Sequence, residues 1–458
     1  MIAPVLVGLR RFGSALLLAA AFVVSSVAPA SAQGLLRDTE IEDTLRAYGQ
    51  PIWVAAGLNP DDIHIYIVDD NSLNAFVSSG QNIFFHTGLL LAAERPNEII
   101  GVLAHETGHI AGGHLARSRE AMGQAMGPAL ISIGLGVLAM AAGAPDAGAA
   151  LIAGSQQFAM SNFVRHTQVQ ESSADQAAAT YLEETGQSGE GLISFFNRNL
   201  RPYEFAVRRA PPYMMTHPYT SDRVEALRRR VDAGSHHDAV DSEDNLERFR
   251  FMQAKLIGFL RTRGQTLAEY PLSDHSAPAR YARAVAYFRV SELTQARTEL
   301  ESLISEDPNN PYFQELMGQI LFENGRAEES IPFHRRSTEL APNEPLLLIN
   351  LARATMAGES RAGADEAVTL LEQAVALEPD NAFAWRELAQ ARDIRGERGL
   401  AELASAEQNF AIGDFGAAQS FAERARRTLD RGTPSYQRAT DIAGFAEEQM
   451  RERERRRS

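Results

Sequence analysis

Five consecutive residues, His105-Glu106-Thr107-Gly108-His109, have the types and spacing that metal-dependent hydrolysis requires. They follow an apolar run that predicts a helix, and a helix advances about 100° per residue, so the two histidines project from one face. Two imidazoles placed in this way can share one Zn²⁺, with Glu106 beside the open position of the metal as a general base. The alternative interpretation is a helix that carries two surface histidines and a glutamate by chance.

Two histidines need at least one further protein ligand. A third histidine in the HExxHxxGxxH spacing would replace Leu115, whereas His114 lies five residues past His109, about 140° around the helix. We therefore expect His114 to face solvent or to support a ligand. The better candidate is Glu171, with Asp175 one turn later on a predicted helix. Glu171 would complete a His₂Glu site and Asp175 would orient a ligand imidazole; a pair of exposed carboxylates on an amphipathic helix explains the spacing equally well.

The elements that would position these residues are a small sheet and two helices. Residues 63–68, 74–77 and 82–86 have strand patterns, and the short turn before residue 82 predicts a hairpin beside the motif helix. An exposed edge near Val77 to Phe85 would suit a peptide substrate that adds as a strand. Small residues from Ser172 to Ala179 would let the helix of Glu171 pack closely on the motif helix.

The first 32 residues have the features of a secretory signal: Arg10 and Arg11, an apolar core, and Ala30-Ser31-Ala32 at the cleavage position. An uncleaved membrane anchor is the alternative. Without this segment the formal net charge changes from −15 to −17, which argues against nucleic acid as a partner. The chain has no cysteine, so any zinc ligands must be His, Asp or Glu.

Residues 121–145 contain no charged side chain, and the segment is long enough for a membrane span. Their glycines and Pro128 weaken that interpretation and favour a buried or site-covering helical hairpin. A surface loop that touches lipid or an unfolded client is a third possibility, so peripheral membrane contact is kept open.

A repeat marks the last part of the chain. Pro308, Pro342 and Pro379 each follow an apolar helix end, at intervals of 34 and 37 residues, and 34 is the period of tetratricopeptide (TPR) repeats. Small residues recur where paired helices would meet, and residues 410–429 predict a weaker fourth pair. A generic helical bundle is the alternative, but the repeated proline favours TPR-like repeats.

At this point the chain resembles a known family. H-E-x-x-H followed by an E-x-x-A-D helix, here Glu171 to Asp175, is similar to zinc metallopeptidases of the HtpX and CaaX-prenyl-protease type. A signal peptide with TPR repeats resembles the periplasmic, β-barrel assembly-enhancing branch of that family. The resemblance implies that His105, His109 and Glu171 bind one Zn²⁺ and that Glu106 is the general base.

The segment from His217 to Arg223 resembles the H-P-x-x-x-x-R motif of the same family. By that resemblance His217 either stabilises the oxyanion or caps the zinc in a resting state, and Arg223 helps to hold the site together. From the sequence alone, a loop histidine that caps the following helix is an equal alternative. The chain departs from the family at Arg165-His166, where Ser-Arg is common.

These observations predict an α+β, mainly helical chain: a gluzincin-type zinc metalloprotease domain with a small antiparallel sheet, followed by an α-solenoid of TPR-like repeats. The expected boundaries are a signal peptide (1–32), the protease domain (33–235), a helical linker (236–275), the repeats (276–432) and a charged tail (433–458). The implied function is a periplasmic zinc metalloendopeptidase that acts on misfolded or stalled outer-membrane proteins, with clients or assembly partners bound by the repeats. The alternative is a chaperone or assembly factor whose protease site is largely latent.

Overall fold

A computed structural model of the protein describes residues 34–78, 80–117, 145–204 and 211–457, with a few single residues between 118 and 144. The predicted signal peptide and most of the 121–145 segment lie outside these residues. The described chain forms two compact units, one from residues 34–37 and 48–240 and one from residues 38–47 and 241–457. Among the described residues, none of the helices combines the length and hydropathy that a membrane span needs.

The first unit contains a small sheet and a group of helices. Its elements are β1 (Leu35–Leu36), α1 (Thr39–Ala55, shared with the second unit), β2 (His64–Val68), β3 (Ala75–Ser78), β4 (Asn82–His86), α2 (Thr87–Ala92), α3 (Pro96–Ala111), α4 (Pro145–Glu184), α5 (Glu190–Asn199), α6 (Pro212–Thr216) and α7 (Ser221–Asp232).

The sheet is mixed, with the strand order β1-β2-β4-β3. The predicted hairpin is confirmed, because β3 and β4 pair antiparallel, but β4 pairs parallel with β2. The expectation of an antiparallel sheet was therefore wrong. The parallel pairing follows from the route of the chain. Strand β3 lies at the outside of the sheet, and the hairpin then places β4 between β3 and β2, in the same direction as β2. For the same reason β4 is not an edge strand, and the two edges of the described sheet are β1 and β3.

Close contacts hold α3, the helix of the HExxH motif, against α5. A Cβ atom at Gly101 would lie 2.7 Å from Cβ of Leu192, so a side chain there would force the helices apart. At the start of α3, the buried Glu98 accepts two hydrogen bonds of 2.5 Å from Arg198 of α5. A paired and hydrogen-bonded charge of this kind is the form in which carboxylates are buried in proteins.

The second unit is helical. Its helices after the shared α1 are α8 (Glu243–Leu260), α9 (Arg263–Glu269), α10 (Ala277–Arg289), α11 (Leu293–Glu306), α12 (Pro311–Glu323), α13 (Ala327–Leu340), α14 (Pro345–Met356), α15 (Arg361–Leu377), α16 (Ala382–Ile394), α17 (Arg398–Ala411), α18 (Phe415–Thr428) and α19 (Pro434–Arg457).

From α10 onwards the helices form consecutive packed pairs, as TPR repeats do. Two differences from the sequence analysis concern the C-terminal end. Residues 410–429 do not form one pair by themselves: they contain the end of α17 and all of α18, which packs against both α17 and α19. Residues expected as a charged tail form α19, whose Ala439, Ile442 and Ala446 are buried. Apolar residues at helical spacing in an otherwise charged segment explain this packing.

A buried cation lies where residues 38–47 join the second unit. Lys255 of α8 is 2 % exposed, and its Nζ atom lies 2.8 Å from Asp38, 3.2 Å from Glu40 and 3.5 Å from Glu315. The start of α1 is thus connected to two helices of the repeat unit by ion pairs that are shielded from water.

Candidate metal centre

Three elements of the first unit bring the predicted ligands together. His105 and His109 lie one turn apart on α3, Glu171 lies on α4, and His217 follows the last residue of α6. One donor atom from each of the four residues lies within 4.8 Å of the others. The four side chains are separated by up to 112 positions in the sequence, so only the packing of these helices creates the cluster.

Five of the separations between these donor atoms are close to those that one tetrahedral ion requires. Nε2 of His105 lies 3.1 Å from Nε2 of His109, 3.4 Å from Oε2 of Glu171 and 3.2 Å from Nδ1 of His217. Nε2 of His109 lies 3.3 Å from Oε1 of Glu171, and Nδ1 of His217 lies 3.0 Å from Oε2. Donors at about 2.0–2.1 Å from a tetrahedral Zn²⁺ stand about 3.3 Å apart. The donor set and its spacing therefore fit a zinc ion.

A glycine in the motif permits this geometry. A Cβ atom at Gly108 would lie 2.9 Å from the carbonyl oxygen and 3.0 Å from Cα of Ala174 on α4. The neighbouring atoms are backbone atoms, which cannot rotate away as a long side chain could. The absence of a side chain at Gly108 thus lets α4 approach α3 closely enough for Glu171 to reach the two histidines.

Asp175 and Arg223 lie directly behind the donor atoms. Oδ1 of Asp175 is 3.0 Å from Nδ1 of His105, on the side of the ring opposite the cluster. Arg223 of α7 donates hydrogen bonds of 2.5 and 2.8 Å to Asp175, and one of its nitrogens lies 3.0 Å from Glu171. Burial raises the pKa of Asp175, but the charge and hydrogen bonds of Arg223 outweigh burial and lower it. Asp175 is therefore an ionised partner for the His105 ring.

The electrostatics of the cluster favour a positive charge. Burial lowers the pKa of His105, but hydrogen bonds and charges from Asp175 and Glu171 outweigh burial and raise it to about 9. Burial also opposes ionisation of Glu171, yet the neighbouring histidines hold its pKa well below the usual range. Two ionised carboxylates around buried imidazoles form a site that attracts a proton or a metal cation.

Glu106 has the environment of a reactive carboxylate. It is fully buried, and among the described residues neither of its carboxylate oxygens has a hydrogen-bond partner. Its Oε1 atom lies 3.5 Å from Nε2 of His217. A buried carboxylate without such partners is costly, and sites of this kind occur where chemistry requires them. The His109 side chain is 12 % exposed, so it is the one member of the cluster that solvent partly reaches.

The sequence analysis excluded His114 as a metal ligand, and His114 indeed lies outside the four-residue cluster. Of the two alternatives expected for it, the structure excludes a solvent-facing side chain, because His114 is buried. Helix α3 ends at Ala111, and the turn that follows brings Nδ1 of His114 to 3.0 Å from Nδ1 of His109. The side chain is buried, and burial, followed by the charge of His109, lowers the pKa of His114 to about 4.

Two aromatic residues at the site were missed by the sequence analysis. Tyr213 is buried and stacks on His217 with ring centroids 4.5 Å apart. Phe196 contacts the edge of His105 and lies 5.2 Å below the guanidinium of Arg223. Tyr213 precedes His217 by four residues, a spacing that could have predicted contact between the two rings. Nothing in the local sequence indicated Phe196.

Comparison with known proteins agrees with this geometry. Residues 36–231 match the family described as peptidase family M48. This chain carries an M48 metallopeptidase domain. The resemblance to metallopeptidases of the HtpX type is thereby confirmed, and the cluster of His105, His109, Glu171 and His217 is the candidate metal site of that domain.

A second family match and several relatives cover further parts of the chain. Residues 281–345 match a tetratricopeptide repeat family, which confirms the predicted repeats. A beta-barrel assembly-enhancing protease of Yersinia pestis is 27 % identical over 386 residues, which cover 82 % of this chain and 77 % of the relative. The protein of the same name from Escherichia coli (strain K12) is 25 % identical with the same coverage. Metalloprotease LoiP of Escherichia coli (strain K12) is 25 % identical over 46 % of this chain and 75 % of its own length.

Proposed function

We propose that this protein is a zinc-dependent metalloendopeptidase of the bacterial periplasm, which hydrolyses peptide bonds in misfolded or stalled outer-membrane proteins. The observation that carries the proposal is the set of four donor atoms, five of whose separations are 3.0–3.4 Å, with Glu106 beside it. Three nitrogens and one carboxylate favour Zn²⁺ over the hard cations Mg²⁺ and Ca²⁺, which prefer oxygen ligands.

The residues of the site have separate roles in this reaction. His105, His109 and Glu171 would hold the ion, which when bound supplies Lewis-acid polarisation of a water molecule and of the scissile carbonyl. Glu106 takes the proton of the water and passes it to the leaving amine. Asp175 keeps the His105 ring in the tautomer that presents Nε2 to the cluster. A substrate strand would add to β3, the edge strand of the described sheet that contacts α3.

The position of His217 favours a second candidate function, in which the peptidase site is largely latent and the protein acts mainly as an assembly factor. Its Nδ1 atom is already among the donor atoms, 3.2 Å from His105 and 3.0 Å from Glu171. A fourth protein ligand in this place would occupy the position that a reactive water needs. His217 would then cap the site at rest and leave it when a client or partner binds.

The proposed location and clients follow from the relatives and the repeats. The relatives from Yersinia pestis and Escherichia coli are named for β-barrel assembly and align with most of this chain. Stacked helix pairs form extended surfaces that bind proteins, so we assign the binding of clients or of the outer-membrane assembly machinery to the repeats. The N-terminal 32 residues have the features of an export signal. Peripheral membrane contact through residues 121–145 remains part of the proposal.

Zinc content tests the metal site. The purified protein should contain one Zn²⁺ per chain, and Glu171→Ala should lose it because an anionic ligand is removed. Glu94→Gln changes an exposed glutamate just before α3 and should retain the zinc. A wild-type protein that binds no zinc after dialysis against the metal would refute the proposal.

Glu106→Gln tests the reaction. This variant should bind zinc and unfolded outer-membrane proteins as the wild type does, but it should lose cleavage because an amide cannot accept the proton of the water. Continued cleavage at the wild-type rate would exclude Glu106 as the base. Retained binding of clients without cleavage would support the role assigned to the repeats.

His217→Ala separates the two candidate functions. If His217 caps the site, removal of its ring should increase cleavage of a peptide substrate. If His217 stabilises the oxyanion, the same change should lower kcat by about 10²-fold with little effect on KM. An unchanged rate would contradict both roles of this residue.

A further inference from the structure

The turn after α3 is built so that one more histidine reaches the metal centre. Gly113 has a φ of +61°, a left-handed conformation that favours glycine and reverses the chain. A Cβ atom at Gly112 would lie 2.5 Å from Nε2 of His114, so the ring of His114 occupies space that only a glycine leaves open. The result is the contact of 3.0 Å between Nδ1 of His114 and Nδ1 of His109.

We propose that His114 is a positioning residue for His109, and that it accepts a hydrogen bond from the Nδ1–H group of this metal ligand. The proposal rests on the zinc peptidase function above and adds a residue to which that function assigned no role. His114 contacts His109 on Nδ1, whereas the donor atom of His109 is Nε2, so His114 acts through the ring of His109.

The chemistry of imidazole determines the direction of this hydrogen bond. A neutral ring that presents Nε2 to a cation carries its hydrogen on Nδ1. Two nitrogens 3.0 Å apart share one hydrogen, so Nδ1 of His114 must be the acceptor and its own hydrogen must lie on Nε2. This arrangement holds His109 in one tautomer and one orientation, which is the usual task of the group behind a metal-binding histidine.

The two histidines of the motif are therefore supported in different ways. His105 is backed by the carboxylate of Asp175, which Arg223 neutralises, whereas His109 is backed by an uncharged ring. A second contact holds the backbone of His114 near the third ligand: Gln170, next to Glu171 on α4, donates a hydrogen bond of 3.1 Å to the backbone carbonyl of His114. His114 thus connects the end of α3 to the helix that carries Glu171.

A pair of substitutions at His114 separates the hydrogen bond from packing. His114→Phe keeps a ring of similar shape without an acceptor, and His114→Asn keeps an acceptor oxygen close to the place of Nδ1 without the ring. His275→Phe, at an exposed position of the second unit, is the control for the substitution itself. The full-length proteins are stripped of metal, and the Zn²⁺ dissociation constant is measured by competition with a chromogenic chelator at constant pH. The visible absorption of the Co²⁺-loaded proteins reports on the ligand geometry.

We expect His114→Phe to weaken Zn²⁺ binding by about 10- to 100-fold and to change the Co²⁺ spectrum, because loss of a group behind a ligand has effects of this size. His114→Asn should restore most of the affinity and the wild-type spectrum, and His275→Phe should equal the wild type. Wild-type affinity in His114→Phe would overturn the proposal, and so would equal losses in the Phe and Asn variants. A wild-type protein that binds no Zn²⁺ would instead refute the zinc peptidase function itself.

Discussion

The close approach of α3 and α4 at Gly108 predicts that a side chain at this position lowers protein stability, zinc affinity and catalytic rate. In Gly108→Ala the new methyl group would lie 2.9 Å from the carbonyl oxygen of Ala174, well inside the ordinary contact range, which starts at 3.4 Å. Because the opposing atoms are backbone atoms, the helices must separate by about half an ångström in a close-packed interior. Glu171 lies three residues before Ala174 and should move with α4 away from His105 and His109.

The expected magnitudes follow from this displacement. Overpacking of this kind lowers the free energy of unfolding by about 1–3 kcal/mol, and the better helix propensity of alanine raises it by about 1 kcal/mol. Metal–ligand distances tolerate changes of only about 0.2 Å, so a shift of half an ångström should weaken zinc binding. A misplacement of 1 Å costs about 10²-fold in rate, so the smaller shift should lower kcat/KM by about tenfold.

The matched control is Gly444→Ala in α19, where nothing lies within 4 Å of the new methyl group. This change has the same propensity gain without the clash and should stabilise the second unit by about 1 kcal/mol. Thermal unfolding, Zn²⁺ affinity and kcat/KM with a peptide substrate would be measured for both variants. If Gly108→Ala keeps the wild-type affinity, rate and Tm, the close approach of the two helices is not what permits the site.

Three further predictions concern buried charges. Arg223→Met should destabilise the first unit by about 3–5 kcal/mol, because it leaves two buried carboxylates without their cation. The control Arg228→Met breaks a half-exposed ion pair and should change the free energy of unfolding by less than about 1 kcal/mol. Equal effects of the two substitutions on urea unfolding would contradict the reasoning. Lys255→Met should destabilise the second unit by about 3–5 kcal/mol for the same reason, and an unchanged urea midpoint would show that its three carboxylate partners do not need it. Burial, with three acidic neighbours, raises the pKa of Glu344 to about 7, so its ionised form costs stability above pH 7 and this cost disappears as the pH falls toward 4.5. Glu344→Gln should accordingly stabilise the protein by on the order of 1–3 kcal/mol at pH 8 and not at pH 4.5, whereas the exposed Glu328→Gln should show no such pH dependence in thermal unfolding.

The local elements around the site were largely predictable. Strand β4 begins and ends where its pattern predicts, and α3 contains the whole HExxH motif. The repeat period correctly placed helix ends near Pro308, Pro342 and Pro379, because a proline cannot continue a helix that precedes it. These features depend on neighbours a few positions apart, and a single sequence contains that information.

Other features depend on contacts between distant segments. The parallel pairing of β2 with β4 follows from the position that β3 takes at the edge, and no local pattern distinguishes it from an antiparallel sheet. The burial of α19 depends on the surface that α18 offers to it. The contact of His114 with His109 required the reversal at Gly113, whereas a continuous helix would have turned the His114 ring away.

For the candidate site itself, the sequence determined the chemical inventory: two imidazoles one helical turn apart, a glutamate between them, a second carboxylate helix, and no thiol that could replace them. Only the tertiary structure decided that Glu171 and His217 come within 3.2–3.4 Å of those imidazoles, and that Asp175 lies behind His105. The physical reason is that side-chain type and helical spacing are local properties. The distance between two helices depends instead on what packs between them, and here that distance depends on the missing side chain of Gly108.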